Sequence, residues 1–305
     1  MNEALSFDRS EISPSGGAVR LSPLIRRLVA PNGGPFTFTG TCTYVMGERS
    51  CVVIDPGPEN ETHLAALLTA IGSAEVSAIL VTHTHKDHSP LASRLKALTG
   101  APILGCAPHF SARALSAGEV NALDASADHA YAPDRVLLAG DVVAGDGFHL
   151  VTVPTPGHTM NHLAFALPEE QALFSGDHVM AWSTSIVAPP DGSMGAYMAS
   201  LALLQGREDA IYYPGHGAPV LEPRRYVKAL IGHRKMREAT ILEAVKAGER
   251  YIPEIVAKLY AGLDPKLHGA AALSVFAHLE ELVARGLVRT EGEPTLDAAY
   301  WSRSN

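Results

Sequence analysis

The chain is expected to fold as an α/β sandwich, two sheets covered by helices, followed by a small winged-helix-type module. Three features predict this. Residues 50–120 alternate apolar, β-branched runs with helical spacing, the pattern of parallel strands joined by helical crossovers. After Tyr131 the pattern becomes short runs broken by turns (RVLLAG, VVAGDGFHLVTV, HLAFALP, QALFSG), which suits a run of hairpins. At Glu222-Pro223 it shifts again, to long helical stretches and a strand-like tail.

Residues 1–18 are acidic and polar and are expected to be mobile; they contain no apolar stretch of the kind found in a secretory leader. Val19–Val29 and Phe36–Met46 read as strands around the turn Asn32-Gly33-Gly34-Pro35. The second passes through Gly47 into SCVVIDPG, a hairpin ending at Asp55. Glu61–Gly72 has helical spacing (Leu64, Leu67, Leu68, Ile71) and stops at a glycine. VSAILV is a buried strand, Leu91–Leu98 a helix ended by Gly100, APILGC a short strand, and Phe110–Ser116 an Ala-rich helical segment. Residues 186–203 begin as a Pro/Gly-rich loop and finish as a helix. Arg224–Ala247 is a long amphipathic helix, with two more at Ile252–Leu259 and Ala270–Gly286 before GLVRTEGEPTLDAAYW. The expected units are 1–18, a catalytic domain over 19–222, and the C-terminal module over 223–305.

With 305 residues, 47% hydrophobic and 18% charged, the chain has ample material for a core. No apolar run approaches a bilayer span, so no membrane partner and a cytoplasmic location are expected. Cys42, Cys51 and Cys106 are few and odd in number, and read as buried small hydrophobes in a reducing compartment. The net charge of −8 is uneven: residues 1–223 carry 11 Lys/Arg against 22 Asp/Glu, residues 224–305 carry 13 against 10. Arg224, Arg225, Lys228, Arg234, Lys235 and Arg237 crowd one helical stretch. That stretch is either a surface for an anionic partner or a solvated helix face.

The chemistry lies in THTHKDHS (Thr82–Ser89) and three later islands, PTPGHT (154–159), SGDHV (175–179) and YPGHG (213–217). His83, His85, Asp87 and His88 follow directly on the VSAILV strand, where a loop can be held rigidly beside a ligand. His158, Asp177 and His216 stand in Gly-rich turns that allow close backbone approach. Imidazole and carboxylate without cysteine suit zinc, with iron or manganese as alternatives. His83 and His85 project to one side of an extended segment and share a first metal with His158. Asp87, His88 and His216 hold a second, and Asp177 bridges the two. Metals ~3.5–4 Å apart hold a shared hydroxide as the nucleophile, so no side-chain nucleophile is required. Asp87 and His88 are the catalytic candidates, Asp87 also as a proton acceptor. Asp55 is either an acceptor that orients the metal loop or a turn former beside Pro56-Gly57. Residues 186–203 should overhang the site, with Tyr197 and Ser200 contacting substrate; for a tyrosine at helical spacing, packing is the alternative. His162 and His178 read as structural neighbours.

The His83-Thr84-His85-Lys86-Asp87-His88 motif, with the single His, Asp and His in Gly-flanked turns, resembles the metallo-beta-lactamase superfamily over residues 19–222. The resemblance implies an αββα sandwich with the metals at one sheet edge. Asp177 at the bridging position is similar to glyoxalase II rather than to true beta-lactamases. The interval from Asp177 to His216 leaves no room for the large inserted domain of the superfamily's processing-type nucleases. APNGGPFTFTGTCTYVMG (30–47) and HRKMREATILEAV (233–245) resemble the beta-lactamase-like protein 2 family, which carries a winged-helix C-terminal domain and whose mitochondrial member is a single-strand endoribonuclease. Where that family has Thr-Asn-Thr, this chain has Cys42.

The expected function is a binuclear metal-dependent hydrolase, two zinc ions per chain, acting on a small ester, thioester or lactone. Cleavage of single-stranded RNA is the alternative: the basic residues at 224–237 favour it, while the 6% aromatic content offers few stacking platforms. A non-enzymatic, metal-stabilised interaction protein is a third reading.

Overall fold

The computed structural model describes residues 5–10 and 16–303, and the side chains of all of these but Lys266. Strands β1 (Val19–Arg20), β2 (Ile25–Val29), β3 (Cys42–Met46) and β4 (Ser50–Ile54) form an antiparallel meander. Helix α1 (Glu61–Ile71) then returns the chain to β5 (Glu75–Val81), parallel to β4, and α2 (Leu91–Thr99) returns it to β6 (Ile103–Gly105), parallel to β5. A two-residue β7 (Arg135–Val136) closes this seven-stranded sheet, whose order follows the sequence. The Asn60 side chain accepts the His63 N–H at 2.9 Å and so caps α1, while Gly100, at φ 76°, takes the left-handed turn that ends α2.

The second sheet has the order β12-β11-β10-β9-β8: β8 (Val142–Ala144), β9 (His149–Pro154), β10 (Leu163–Leu167) and β11 (Ala172–Gly176) pair antiparallel. The chain then crosses through α3 (Met194–Gln205) to β12 (Ile211–Pro214), parallel to β11. Period-two alternation along β10 sorts its side chains. Leu163, Phe165 and Leu167 join the core between the sheets with Tyr44, Val53 and Ile79; Ala164 and Ala166 face Tyr197, Leu201 and Val227 of the covering helices. The small alanines let those helices sit close.

The long helix α4 (Pro223–Ala247) serves both halves. Val227 and Leu230 pack on the second sheet's outer face, whereas Ile241 and Val245 belong to a third core. That core gathers Ile255 of α5 (Ile252–Leu259), Phe276 and Leu279 of α6 (His268–Ala284), Val288 of β13 (Val288–Thr290) and Tyr300 of β14 (Tyr300–Ser302). β13 and β14 pair antiparallel as the wing. Helix α4 begins at Pro223, and its first half packs on the second sheet.

Three expectations are corrected. Phe110–Ser116 is not helical. Its polar groups have long-range partners instead: Ala112 N–H donates to Pro190 O, Ser111 Oγ to Asp191, and Arg113 to both Glu119 and Glu280. The strand expected from Phe36 begins only at Cys42, because Gly34–Gly40 turns back on itself (Gly34 N–H to Phe38 O, 2.9 Å; Phe38 φ 53°). RVLLAG yields only β7, on the edge of the first sheet rather than in the second. Of the N-terminal segment expected to be mobile, residues 5–10 are placed against the protein, with Asp8 N–H donating to Ala181 O; residues 1–4 and 11–15 lie outside the described residues.

Candidate metal centre

Each functional island follows the C-terminal end of a strand: Asp55 after β4, Thr82–Ser89 after β5, His158 after β9, Asp177 after β11 and His216 after β12. The strands whose ends meet here run in parallel within each sheet, so the facing sheets deliver five loops to one edge. The loop after β5 is fixed by its backbone. Lys86 N–H donates to Ser126 O at 2.8 Å, Asp128 N–H to Thr84 O at 2.7 Å, and Ser89 Oγ to Asp128 Oδ2 at 2.6 Å.

Two groups result. His83, His85, His158 and Asp177 place one donor atom each within 4.8 Å of one another, and so do Asp87, His88 and His216. In the first, His85 Nδ1 lies 3.1 Å from both His83 Nε2 and His158 Nε2. In the second, Asp87 Oδ2 stands 3.3 Å from His88 Nε2 and 3.2 Å from His216 Nε2. Asp177 faces both groups: Oδ2 is 3.3 Å from His216 Nε2 and 3.7 Å from His158 Nε2, and Oδ1 is 3.6 Å from His88 Nε2. Gly215 makes room for this carboxylate, since a Cβ there would lie 2.3 Å from Asp177 Oδ1.

The outer ring nitrogens test whether a cation fits. His158 Nδ1 donates to Ile186 O at 2.5 Å, His216 Nδ1 to Gly40 O at 3.1 Å, and His88 Nδ1 to Asp55 Oδ2 at 3.0 Å. Directing the N–H outward leaves a bare Nε2 lone pair pointing inward on each neutral ring. His88 Nε2 and Asp177 Oδ1 are buried with no hydrogen-bond partner. Converging lone pairs and carboxylates in a buried space need a positive charge among them. The cluster is able to bind metal ions.

Protons respond to the same field. Burial and the neighbouring imidazoles hold His83 well below its usual range and bring His85 down to about 3. Burial works against the charged form of His216 too, but Asp177 and Asp87 overcome it and raise this ring to about 10. In the second group protons thus take up charge that a cation would supply, and cation binding there must displace them.

Asp55, in a positive-φ conformation (49°) at the end of β4, accepts from Thr82 N–H and Thr82 Oγ1 at 2.8 Å each as well as from His88. It stands behind the loop that follows β5. His162, read as a structural neighbour, accepts the Asp177 N–H on its Nε2 at 3.1 Å. Sequence reasoning missed Thr41, whose hydroxyl donates to Asp87 Oδ2 at 2.9 Å. It also missed the carbonyls of Gly40 and Ile186, which no side-chain pattern can signal.

Tyr197 and Ser200 are not brought to the opening. Tyr197 is fully buried with its hydroxyl donating to His178 O, and Ser200 Oγ donates to Pro156 O. Both sit on the face of α3 that packs on the second sheet, because the loop before α3 rather than the helix passes over the site. The basic stretch is also dispersed. Arg234 is buried and donates to Ser185 O, Arg237 stacks on the Tyr260 ring at 4.4 Å, and Arg225 pairs with Glu222 at 3.0 Å. Cys42 is buried in β3 with its thiol pushed up to about 11 by burial; its backbone N–H still reaches Gly215 O at 2.7 Å.

A cavity of about 280 Å³ opens from His158 and Asp177. Met180, Trp182 and Ile186 form one wall. Tyr260, Leu263, Leu267 and Ala271 of the C-terminal module form the other, and Arg234 and Ser185 also line it.

Comparison with known proteins agrees with this geometry. The Metallo-beta-lactamase superfamily pattern matches residues 36–216, and the Beta-lactamase associated winged helix domain matches residues 252–301. The chain belongs to the metallo-beta-lactamase superfamily. It is 29% identical over 289 residues to the beta-lactamase-like protein 2 homolog of Caenorhabditis elegans, covering 92% of this chain and 90% of that one. It is 30% identical over 252 residues to the atrochrysone carboxyl ACP thioesterase of Aspergillus chevalieri, covering 80% and 73%. In structure it resembles a metallo-beta-lactamase family protein from Thermus thermophilus (TM-score 0.76, 23% identity, 93% of this chain and 100% of that one). A beta-lactamase domain protein from Burkholderia ambifaria is similar at TM-score 0.78 and 20% identity, covering 96% and 95%. This superfamily member is a hydrolase with a C-terminal winged-helix domain. Among the described residues no helix is long and apolar enough to cross a membrane.

Proposed function

We propose that this superfamily member is a binuclear zinc hydrolase cleaving small acyl thioesters or esters. The observation that carries this reading is the cavity: beside His158 and Asp177 it is mostly apolar, and the winged-helix domain supplies one wall. Such a space suits an acyl group. A flexible polyanion would call for a basic, aromatic-lined groove; of the six basic residues on α4, Arg234 is buried, Arg237 stacks on Tyr260 and Arg225 pairs with Glu222, and the exposed Arg224, Lys228 and Lys235 line no part of this cavity. The thioesterase relative's name points to the same bond type.

His83, His85 and His158 would hold one ion, Asp87, His88 and His216 the other, with Asp177 reaching both. When bound, the ions supply Lewis acidity and lower the pKa of water to near neutrality. The chain's own residues do the remainder. Asp55, Gly40 O and Ile186 O fix the rings, and Thr41 holds Asp87. Asp87 keeps 24% of its side chain exposed against 9% for Asp177, so it is the carboxylate able to pass a proton to solvent. In the net reaction, oxygen from water joins the carbonyl carbon, the C–S or C–O bond breaks, and the departing thiolate or alkoxide takes a proton.

The test is an assay of purified, metal-replete protein on an acyl thioester and ester panel beside labelled single-stranded RNA, with and without chelator. Chelator-sensitive acyl hydrolysis without RNA cleavage is expected. RNA cleavage with no acyl hydrolysis would overturn the reading.

A further inference from the structure

Arg234 stands out among the groups that the hydrolase reading leaves unused. It lies in the middle of α4, is 3% exposed, and lines the same cavity as His158 and Asp177. One terminal nitrogen, Nη2, donates to the carbonyl of Ser185, and the guanidinium lies over the Tyr197 ring, 5.1 Å from its centroid. Neither partner carries negative charge. Among the described residues no carboxylate comes within ion-pair distance of it, and its Nε is buried without any hydrogen-bond partner. Two half-buried arginines do have acids, Arg113 with Glu119 and Glu280 and Arg207 with Asp209; Arg27 is also buried with an unpartnered Nε, but unlike Arg234 it does not line the cavity beside His158 and Asp177.

A buried guanidinium without a counter-ion is costly unless something supplies the charge. Around the cavity, the neighbours beyond the metal cluster are apolar and aromatic side chains, the hydroxyls of Ser183, Thr184, Ser185 and Ser274, and the exposed Arg9. None of these is acidic. Arg234 also borders a separate cavity with Glu238 and Glu281, neither within ion-pair distance of it and Glu238 already paired with Arg285, so on the side facing His158 and Asp177 the balancing charge is left to a ligand.

We infer that Arg234 reads a carboxylate carried by the acyl part of the substrate, so that the preferred substrates are thioesters or esters of short dicarboxylic acids. The inference rests on the hydrolase reading of this cavity. One buried guanidinium balances one carboxylate, and its planar fork matches that group's geometry. A phosphate dianion would leave a second charge unpaired among apolar walls, since the exposed Arg9 is already solvated. The space of about 280 Å³ limits the acyl group to a short chain, with the reacting carbonyl at the Asp177 end and the free carboxylate at the Arg234 end.

The experiment compares glutaryl with pentanoyl thioesters of N-acetylcysteamine, alike in length and differing in the terminal carboxylate. It is run on metal-replete wild type, Arg234→Gln and Arg234→Lys, with calorimetric binding of glutarate against pentanoate measured in parallel. Wild type should favour the glutaryl thioester in kcat/KM, and bind glutarate more tightly, by tenfold or more. Both ratios should fall to near one in Arg234→Gln and stay intermediate in Arg234→Lys, which keeps the charge without the fork. Equal handling of the two acyl groups by wild type would overturn the inference while leaving the hydrolase reading intact. So would a preference that survives Arg234→Gln. If neither thioester turns over although glutarate outbinds pentanoate through Arg234, the cavity holds a carboxylate but not that of a dicarboxylic acyl thioester, which overturns the substrate assignment together with the thioester reading. Should Arg234→Gln not fold, the wild-type ratios and Arg234→Lys decide the matter.

Discussion

Asp55 and His88 are 33 residues apart in sequence, yet Asp55 Oδ2 accepts the His88 Nδ1 proton at 3.0 Å while the same carboxylate holds Thr82 through its backbone and hydroxyl. One side chain at the end of β4 thereby sets both the path of the metal loop and the tautomer of a ring within it. Asp55→Asn replaces an acceptor oxygen with a donor nitrogen and upsets this arrangement. Metal affinity, measured by competition with a chromophoric chelator, should fall ~10–100-fold, with the circular dichroism spectrum retained. Unchanged affinity would mean that the loop holds itself.

Removal of metal should abolish hydrolysis and lower the melting temperature, because ions that bind only the folded chain stabilise it. His85→Ala should reproduce the loss of turnover, by ~10³-fold or more given the scale of metal-assisted water activation. Elemental analysis of folded wild type finding no transition metal would contradict this directly.

Gly215→Ala is the smallest change that should empty the site. The added methyl would meet Asp177 Oδ1 at 2.3 Å and the His88 ring at 2.7 Å, while lying outside the main hydrophobic cores. Activity and bound metal should be lost together in a protein that still folds. Full activity would show that the carboxylate has another place to go.

Acid should also weaken the buried contacts of Asp191. Burial tends to raise the Asp191 carboxyl, but bonds from His109, Asn121 and Ser111 outweigh it and lower it to about 2, against an ordinary 3.8. A carboxyl lowered by folding stabilises the native state above its ordinary value, and that contribution fades as pH drops through the folded one. The stability difference between wild type and Asp191→Asn, from urea unfolding, should be constant above pH 3.8 and shrink toward pH 2. A difference that grows on acidification would reverse the assignment.

The cysteines should be silent in the native state. Cys42, Cys51 and Cys106 are buried and free, and burial raises all three thiols, the first two to about 11. A thiol reagent at pH 8 should label none until denaturant is added, since the thiolate is the reactive form. Rapid native labelling of Cys42 would show that β3 opens beside the site.

The sequence by itself determined the superfamily, the strand ends that carry the His/Asp cluster, and the winged-helix ending. These follow from local causes: a run of β-branched residues makes a strand wherever it lies, and four metal-binding side chains packed behind one strand have few other uses. The glycine stop of α1 was legible for the same reason. Tertiary structure alone decided which groups face inward. Tyr197 and Ser200 went to packing because the way α3 lies on the second sheet, not its spacing, sets which face is covered. Phe110–Ser116 gave up helix for partners far away in sequence, Asp191 and Glu280 among them. Thr41, the Gly40 and Ile186 carbonyls, and the lone guanidinium of Arg234 carry no signature in a string of residues. Their roles come from what stands opposite them, and hydrogen bonds and unbalanced charge depend on distances that exist only once the two sheets and the C-terminal domain have closed around one edge.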